Sequence, residues 1–159
     1  MSTKPAILVL GWGNLSRGDD ALGPMFVAGL QERLPRELQT EVEFLDDYQL
    51  QIEHAIDLVG RSHILFVDAS LDCAAPLEAR AVRARRDASY TSHALSAEAL
   101  LQVYEDMQGD HAPDATLLAL RGQEFGLGEP LSQVAHSHLQ AGLEWGIQWI
   151  SKFAATGRQ

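Results

Sequence analysis

Two aspartates and one histidine are the side chains best placed for chemistry in this sequence. Asp20 closes the loop after the first apolar run, at residues 6–10. Asp68 directly follows the third apolar run, at residues 64–67, and His93 lies just before a predicted helix. Two oxygen donors and one nitrogen donor suit a borderline divalent ion such as nickel or zinc, with coordination positions left open. Such an ion can polarise a peptide carbonyl or lower the pKa of a bound water.

The same three residues also have ordinary structural interpretations. An aspartate after a strand often caps a helix or a turn, so Asp20 and Asp68 need not bind anything. His93 would equally serve as a cap of its own helix region or as a partner for a buried carbonyl. Because their spacing is not that of a compact metal motif, the residue types alone leave both interpretations open.

Other chemistries fit the sequence less well. The first loop contains Gly11 and Gly13, but the sixth position of a dinucleotide fingerprint is Ser16, and the following helix begins too late to receive a pyrophosphate. There is no Gly-x-Ser-x-Gly elbow. Ser92 and His93 are adjacent, and neighbours on an extended chain rarely aim their side chains at each other. The residue pattern therefore argues against nucleotide binding and against a covalent serine intermediate.

The elements that must position these side chains alternate between strand and helix. Apolar runs predict strands at 6–10, 42–45 and 64–67, with weaker signals at 78–82 and 116–120. Helical periodicity predicts one helix that begins near Gly23 and further helices at 51–59, 96–107 and 132–154. This order predicts an α/β fold with three layers, a mostly parallel twisted sheet of about five strands with helices on both faces. The carboxyl ends of parallel strands open onto one edge, where Asp20, Asp68 and His93 could meet.

Length and composition limit the class of protein. A chain of 159 residues predicts a single domain spanning 1–159. The formal net charge of −10 argues against nucleic-acid binding, and no apolar run is long enough for a membrane span or a signal peptide, so we expect a cytoplasmic protein. The lone Cys73 is interpreted as a buried filler. The basic stretch that includes Arg80 and Arg83 is either a solvated strand edge or a docking patch for an acidic partner.

The order of the motifs resembles a known family. Residues 7–24, ILVLGWGNLSRGDDALGP, are similar to the opening of the hydrogenase maturation endopeptidases, with an apolar strand, a Gly-x-Gly-Asn turn and an acidic residue before a small-apolar-Gly segment. Phe66-Val67-Asp68-Ala69 resembles the second signature of that family, and Ser92-His93 before a helix resembles the third. The resemblance covers nearly the whole chain.

This resemblance implies a function and roles for the three residues. It implies an endopeptidase that removes the C-terminal extension of a nickel-loaded [NiFe]-hydrogenase large-subunit precursor, which is then the protein partner. Asp20, Asp68 and His93 would be both the catalytic and the metal-binding residues. The nickel would belong to the substrate and would not be held tightly by the free protease. Asp20 or Asp19 would activate the water.

Two other functions remain alternatives at this stage. The first is a non-catalytic chaperone that recognises the immature large subunit through the same acidic crevice. The second is a different hydrolase on a related α/β fold, such as a peptidyl- or nucleoside-cleaving enzyme.

One segment departs from the family pattern. Many members have an Asp-Gly-Gly-Thr turn after the second strand, whereas this chain has Asp46-Asp47-Tyr48-Gln49. A loop without glycines should be stiffer and bulkier. Residues 48–54 are more similar to the branch that serves soluble NAD-linked hydrogenases, although an ordinary junction between a loop and a helix is an equally good interpretation.

Overall fold

A computed structural model of the protein describes residues 4–86 and 95–156. Five strands form one sheet, and their bounds are Ile7–Trp12 (β1), Val42–Asp47 (β2), His63–Ser70 (β3), Leu77–Val82 (β4) and Asp114–Arg121 (β5). All five lie where the apolar runs predict them, and β1, β2 and β3 extend further toward their carboxyl ends than predicted.

The order of the strands across the sheet is β2-β1-β3-β5-β4. β1, β2, β3 and β5 are parallel, and β4 pairs with β5 in the antiparallel direction at one end of the sheet. The carboxyl ends of the four parallel strands therefore lie together, and we call this side of the sheet the carboxyl edge. Asp20 lies in a loop that leaves the carboxyl edge, and Asp68 lies near the end of β3 at the same edge.

Helices cover both faces of the sheet. The helices are Leu22–Arg33 (α1), Arg36–Gln39 (α2), His54–Asp57 (α3), Ala97–Gln108 (α4) and Gln133–Thr156 (α5). One apolar cluster joins α1 and α5 to one face, and a second joins α3 and α4 to the other face. Alternate residues of β1 enter opposite clusters, Val9 the first and Leu8 and Leu10 the second, as expected of a strand that is buried on both faces. The predicted three-layer α/β fold is confirmed.

The connection between β2 and β3 differs from its prediction. The periodicity predicts a helix over 51–59, whereas the helix α3 spans only His54–Asp57. The backbone N–H of Gln51 donates to the imidazole Nδ1 of His54 at 2.9 Å, so a side chain takes the place of a further helical turn at this end. At the other end Gly60 has a φ of 81°, a left-handed conformation that stops a helix.

Two other sequence predictions concern single features. Cys73 is buried, and its Sγ lies 3.7 Å from the carbonyl oxygen of Ala119, which confirms its interpretation as a filler. In the basic stretch, Arg80 pairs with Glu98 and Arg86 with Asp106, each at 2.9 Å. Within the described ranges, no helix is both long enough and apolar enough to cross a bilayer.

Candidate functional site

The loop between β1 and α1 positions Asp20. It contains a short 3-10 helix, Gly18–Ala21, which places Asp20 directly before α1. The backbone N–H of Asn14 donates to the Oδ2 of Asp20 at 2.8 Å, and the Oδ1 of Asn14 accepts a hydrogen bond from the backbone N–H of Ser16 at 2.8 Å. Because both bonds join groups of one short loop, the carboxylate of Asp20 has a defined position at the carboxyl edge.

Gly13 is the residue that allows this loop to close. Its φ is 152°, and a Cβ at this position would lie 1.9 Å from the carbonyl oxygen of Asp20. The Gly-x-Gly pattern in the sequence is therefore explained by packing of the backbone of Gly13 against Asp20, and no phosphate is needed to account for it.

Replacing Gly13 with alanine tests this close approach. We expect Gly13→Ala to lower the free energy of unfolding by about 2 kcal/mol or more, because the added methyl forces Asp20 to move and adds backbone strain. Chemical denaturation measures the loss. Gly60→Ala is the matched control, since Gly60 has a φ of 81° but no atom within 4 Å of an added Cβ. Equal losses in the two variants would show that the contact with Asp20 contributes nothing.

Asp68 lies near the end of β3 and is close to Asp20. Burial raises the pKa of Asp68, and the negative charge of Asp20 raises it further. Hydrogen bonds from the backbone N–H of Ala69 and the indole N–H of Trp12 act in the opposite direction, and the resulting pKa is about 7. Two carboxyl groups in one partly buried place repel each other when both are ionised. Near neutral pH, Asp68 is therefore protonated in about half of the molecules.

Asp19 has a different role from its neighbour. Its side chain is fully buried, and its carboxylate accepts hydrogen bonds from the backbone N–H groups of Gln123, Glu124 and Ser132 at 2.7 to 3.0 Å and from the Ser132 hydroxyl at 2.7 Å. Burial alone would raise the pKa of Asp19, but these hydrogen bonds outweigh it and hold the pKa below its usual value. Asp19 therefore fixes the loop between β5 and α5 to the first loop. Of the two aspartates proposed to activate water, Asp20 is the one whose negative charge acts on Asp68.

The third predicted ligand, His93, lies outside the described residues. Within residues 4–86 and 95–156, no group of three or more histidine, cysteine or acidic side chains is arranged to hold a metal ion. Asp20 and Asp68 supply two oxygen donors of the kind that divalent ions accept. The described part of the chain thus offers two of the three predicted ligands, and the grouping with His93 stays a prediction.

The loop after β2, which departs from the family pattern, is held by a buried histidine. The Nε2 of His54 lies 3.1 Å from the Oδ2 of Asp47, and the Oδ1 of Asp47 accepts a hydrogen bond from the backbone N–H of Tyr48. The Nδ1 of His54 accepts the N–H of Gln51. Because the carbonyl of Asp47 also accepts the N–H of Gly13 at 3.1 Å, the loop is tied to the segment that holds Asp20.

A surface cleft of about 540 Å³ lies at the opposite edge of the sheet. Its lining includes His63 and Asp114, which begin β3 and β5, together with Trp149 and Phe153 of α5. Neither Asp20 nor Asp68 lines this cleft, so it is separate from the candidate site. The candidate site is formed by strand ends and loops at the carboxyl edge.

Sequence reasoning missed two contributors to the site. Trp12 donates to Asp68 from the last residue of β1, and Asp19 connects loops that are more than a hundred residues apart in the chain. For Trp12 a signal existed, because the residue after an apolar run lies at the same edge as Asp68. For Asp19 the sequence contains no signal that separates it from Asp20.

Several solved structures of the same fold are named as hydrogenase maturation proteases. The chain is 21% identical to a [NiFe] hydrogenase maturation protease HycI from Thermococcus kodakarensis KOD1, with a TM-score of 0.71 over 94% of this chain and 95% of that one. It is 23% identical to the hydrogenase maturating endopeptidase HybD from E. coli, with a TM-score of 0.70 over 92% of each chain. An endopeptidase from Escherichia coli is 25% identical, with a TM-score of 0.65 over 87% and 88%.

No protein-family profile matches the chain, and no curated protein sequence matches it. The similarity that these comparisons find is therefore one of fold. The fold implied by the sequence resemblance is the one that these solved structures share.

Proposed function

We propose that this chain is a maturation endopeptidase that removes the C-terminal extension of a nickel-loaded [NiFe]-hydrogenase large-subunit precursor. The observation that carries the proposal is the carboxyl pair of Asp20 and Asp68 at the carboxyl edge. It occurs in a fold whose solved examples are named as hydrogenase maturation proteases. The names of those proteins and the chemistry of the pair point to the same activity.

The carboxyl pair is suited to a metal ion that the substrate brings. A free protein in which Asp68 is about half protonated near neutral pH holds a divalent cation less tightly, because the proton and the cation compete for the same oxygen atoms. A nickel ion presented by the precursor with open coordination positions would displace that proton and be bound by Asp20 and Asp68. His93 is proposed as the third ligand. Binding would then depend on whether the precursor already contains its metal.

The hydrolytic step needs a water and a polarised carbonyl. The nickel of the precursor can supply Lewis-acid polarisation of the scissile carbonyl. Asp20 is proposed as the group that accepts the proton of the attacking water, because its Oδ2 is held by the N–H of Asn14 and its charge acts on Asp68. No covalent intermediate is required, so each cleavage gives a shortened large subunit and a free C-terminal peptide.

Nickel dependence is the direct test of the proposed function. We expect the protein to shorten a nickel-loaded precursor and to leave a nickel-free precursor intact, since the metal completes the binding site for the carboxyl pair. Mass spectrometry of the products measures both the shortened subunit and the released peptide. The loop at residues 48–54 makes a precursor of the soluble NAD-linked class the first substrate to test.

Two results would count against the proposal in different ways. Equal cleavage of nickel-loaded and nickel-free precursor would show that the protein does not sense the metal. A precursor that binds but keeps its full length under all metal conditions would favour the chaperone alternative. The endopeptidase is preferred because the solved structures of this fold are named as proteases and endopeptidases.

A further inference from the structure

The exposed apolar side chains of this protein are unevenly distributed. Eight large hydrophobic residues are exposed in the described part of the chain, and five of them lie in the loops that leave the carboxyl edge. We call these five residues the apolar rim, and each is more than half exposed: Leu15, Tyr48, Ile52, Leu71 and Leu127. Single exposed apolar residues are common, but several around one site indicate a surface that a partner covers.

Backbone hydrogen bonds join the loops of the apolar rim into one surface. The N–H of Gly128 donates to the carbonyl of Ser16 at 2.7 Å, which places the loop of Leu127 against the loop of Leu15. The N–H of Gly122 donates to the carbonyl of Ser70 at 2.8 Å, next to Leu71. Together with the bond between Gly13 and Asp47, these contacts connect all four loops around the carboxyl pair. The apolar rim is therefore presented by loops that are bonded to one another.

The same four loops, together with the strand ends that precede them, are strongly acidic. Residues 12–20, 46–53, 68–76 and 121–131 contain nine aspartates and glutamates against two arginines, Arg17 and Arg121. One of the two is engaged, since Arg121 donates to the carbonyl of Cys73. A partner that covers this surface must bring apolar side chains for the rim and positive charge for the carboxylates. A second copy of this chain, with a formal net charge of −10, is a poor match.

We propose that the apolar rim is the docking surface for the precursor, and that it binds a segment next to the cleavage site with apolar and basic side chains. This inference rests on the proposed function, because it identifies the occupant with the substrate of the carboxyl pair. The rim provides an affinity for the polypeptide that does not depend on nickel. The metal then decides whether a docked precursor is cut. Docking and metal sensing are thus carried by different residues.

The test uses the affinity for nickel-free precursor, which reports docking without cleavage. We expect Leu15→Ser/Leu127→Ser to weaken this affinity by about tenfold or more, because both residues lose apolar contact area with the partner. Ile56→Ser/Met107→Ser is the matched control, since Ile56 and Met107 are similarly exposed but lie outside the four loops. The affinity of this control variant for nickel-free precursor should stay within about twofold of wild type. Raising the salt concentration should weaken binding by the wild-type protein.

The outcomes separate the docking surface from the proposed function. Wild-type cleavage together with equal affinities in the rim and control variants would overturn the docking surface and leave the proposed function intact. Absence of cleavage together with a specific loss of affinity in the rim variant would overturn the proposed function and support the docking surface. Sedimentation tests the remaining occupant, which is a second copy of this chain. If the wild type is a dimer and the rim variant is a monomer with unchanged affinity for the precursor, then the rim serves self-association and the proposal is overturned.

Discussion

The Asp68→Asn variant is expected to lose precursor cleavage by at least about a hundredfold in kcat/KM, since even residues that only support metal ligands change activity by 10- to 100-fold. Asparagine has the shape of aspartate but supplies no negative charge, so the pair with Asp20 would bind the nickel of the precursor poorly. The measurement is the rate at which nickel-loaded precursor is shortened, followed by mass spectrometry. The affinity for nickel-free precursor should be unchanged, because Asp68 is not part of the apolar rim.

The same variant should change how stability depends on pH. The pKa of Asp68 is raised to about 7, whereas an aspartate in the unfolded chain titrates near 3.8. Between these values the folded protein binds a proton that the unfolded chain has released, so the free energy of unfolding of the wild type should fall as the pH rises from about 4 to about 7 and then level off. Above pH 7, Asp68→Asn should be more stable than wild type by up to about 4 kcal/mol.

A matched control separates the site from general charge effects. Asp46→Asn removes one negative charge from an exposed position at the same carboxyl edge. Its pH profile should parallel that of the wild type, and its cleavage rate should change by only a few fold. Cleavage by Asp68→Asn at the wild-type rate would show that the carboxyl pair does not have the chemical role that we assign to it. A fall in the stability of Asp68→Asn between pH 4 and pH 7, as in the wild type, would show that Asp68 does not carry the proton that we assign to it.

The sheet was predictable because its strands are buried on both faces. The continuous apolar runs around Leu8 and Leu65 can only be strands or buried helices, and their short length together with the alternating helical segments favours a parallel sheet. The ends of the strands were less predictable. Gly11 appeared to end β1, yet Gly11 and Trp12 pair with Asp46 and Asp47 of β2, and pairing between strands far apart in sequence leaves no local signal.

The site was predictable to the extent that topology fixes it. Asp20 and Asp68 each follow an apolar run, and parallel strands bring such positions to one edge, so their proximity followed from the fold class alone. The division of labour between Asp19 and Asp20 did not follow, because it depends on which carboxylate points into the loop that precedes α5. Neighbouring aspartates look equivalent in a sequence. Only contacts with Gln123, Glu124 and Ser132 distinguish them.

Asp19→Ala is expected to have the largest effect on stability, a loss of about 3 to 5 kcal/mol in the free energy of unfolding. The substitution removes one buried carboxylate and leaves three backbone N–H groups and the Ser132 hydroxyl without their acceptor. For a chain of this size the loss corresponds to a fall of roughly 10 °C in Tm, measured by calorimetry. Asp19→Asn should lose less, because the amide oxygen still accepts some of these bonds.

Acid should weaken the wild type through the same residue. Because the pKa of Asp19 is lowered in the folded protein, its contribution to stability is complete above the unfolded value of 3.8 and is lost as the pH falls through the folded pKa. The difference in stability between wild type and Asp19→Ala should therefore shrink below about pH 4. Asp46→Ala is the control, with a loss within about 0.5 kcal/mol at every pH. A Tm for Asp19→Ala equal to that of Asp46→Ala would mean that the loop before α5 is held by other contacts, and that burial of Asp19 reflects a role in the chemistry next to Asp20.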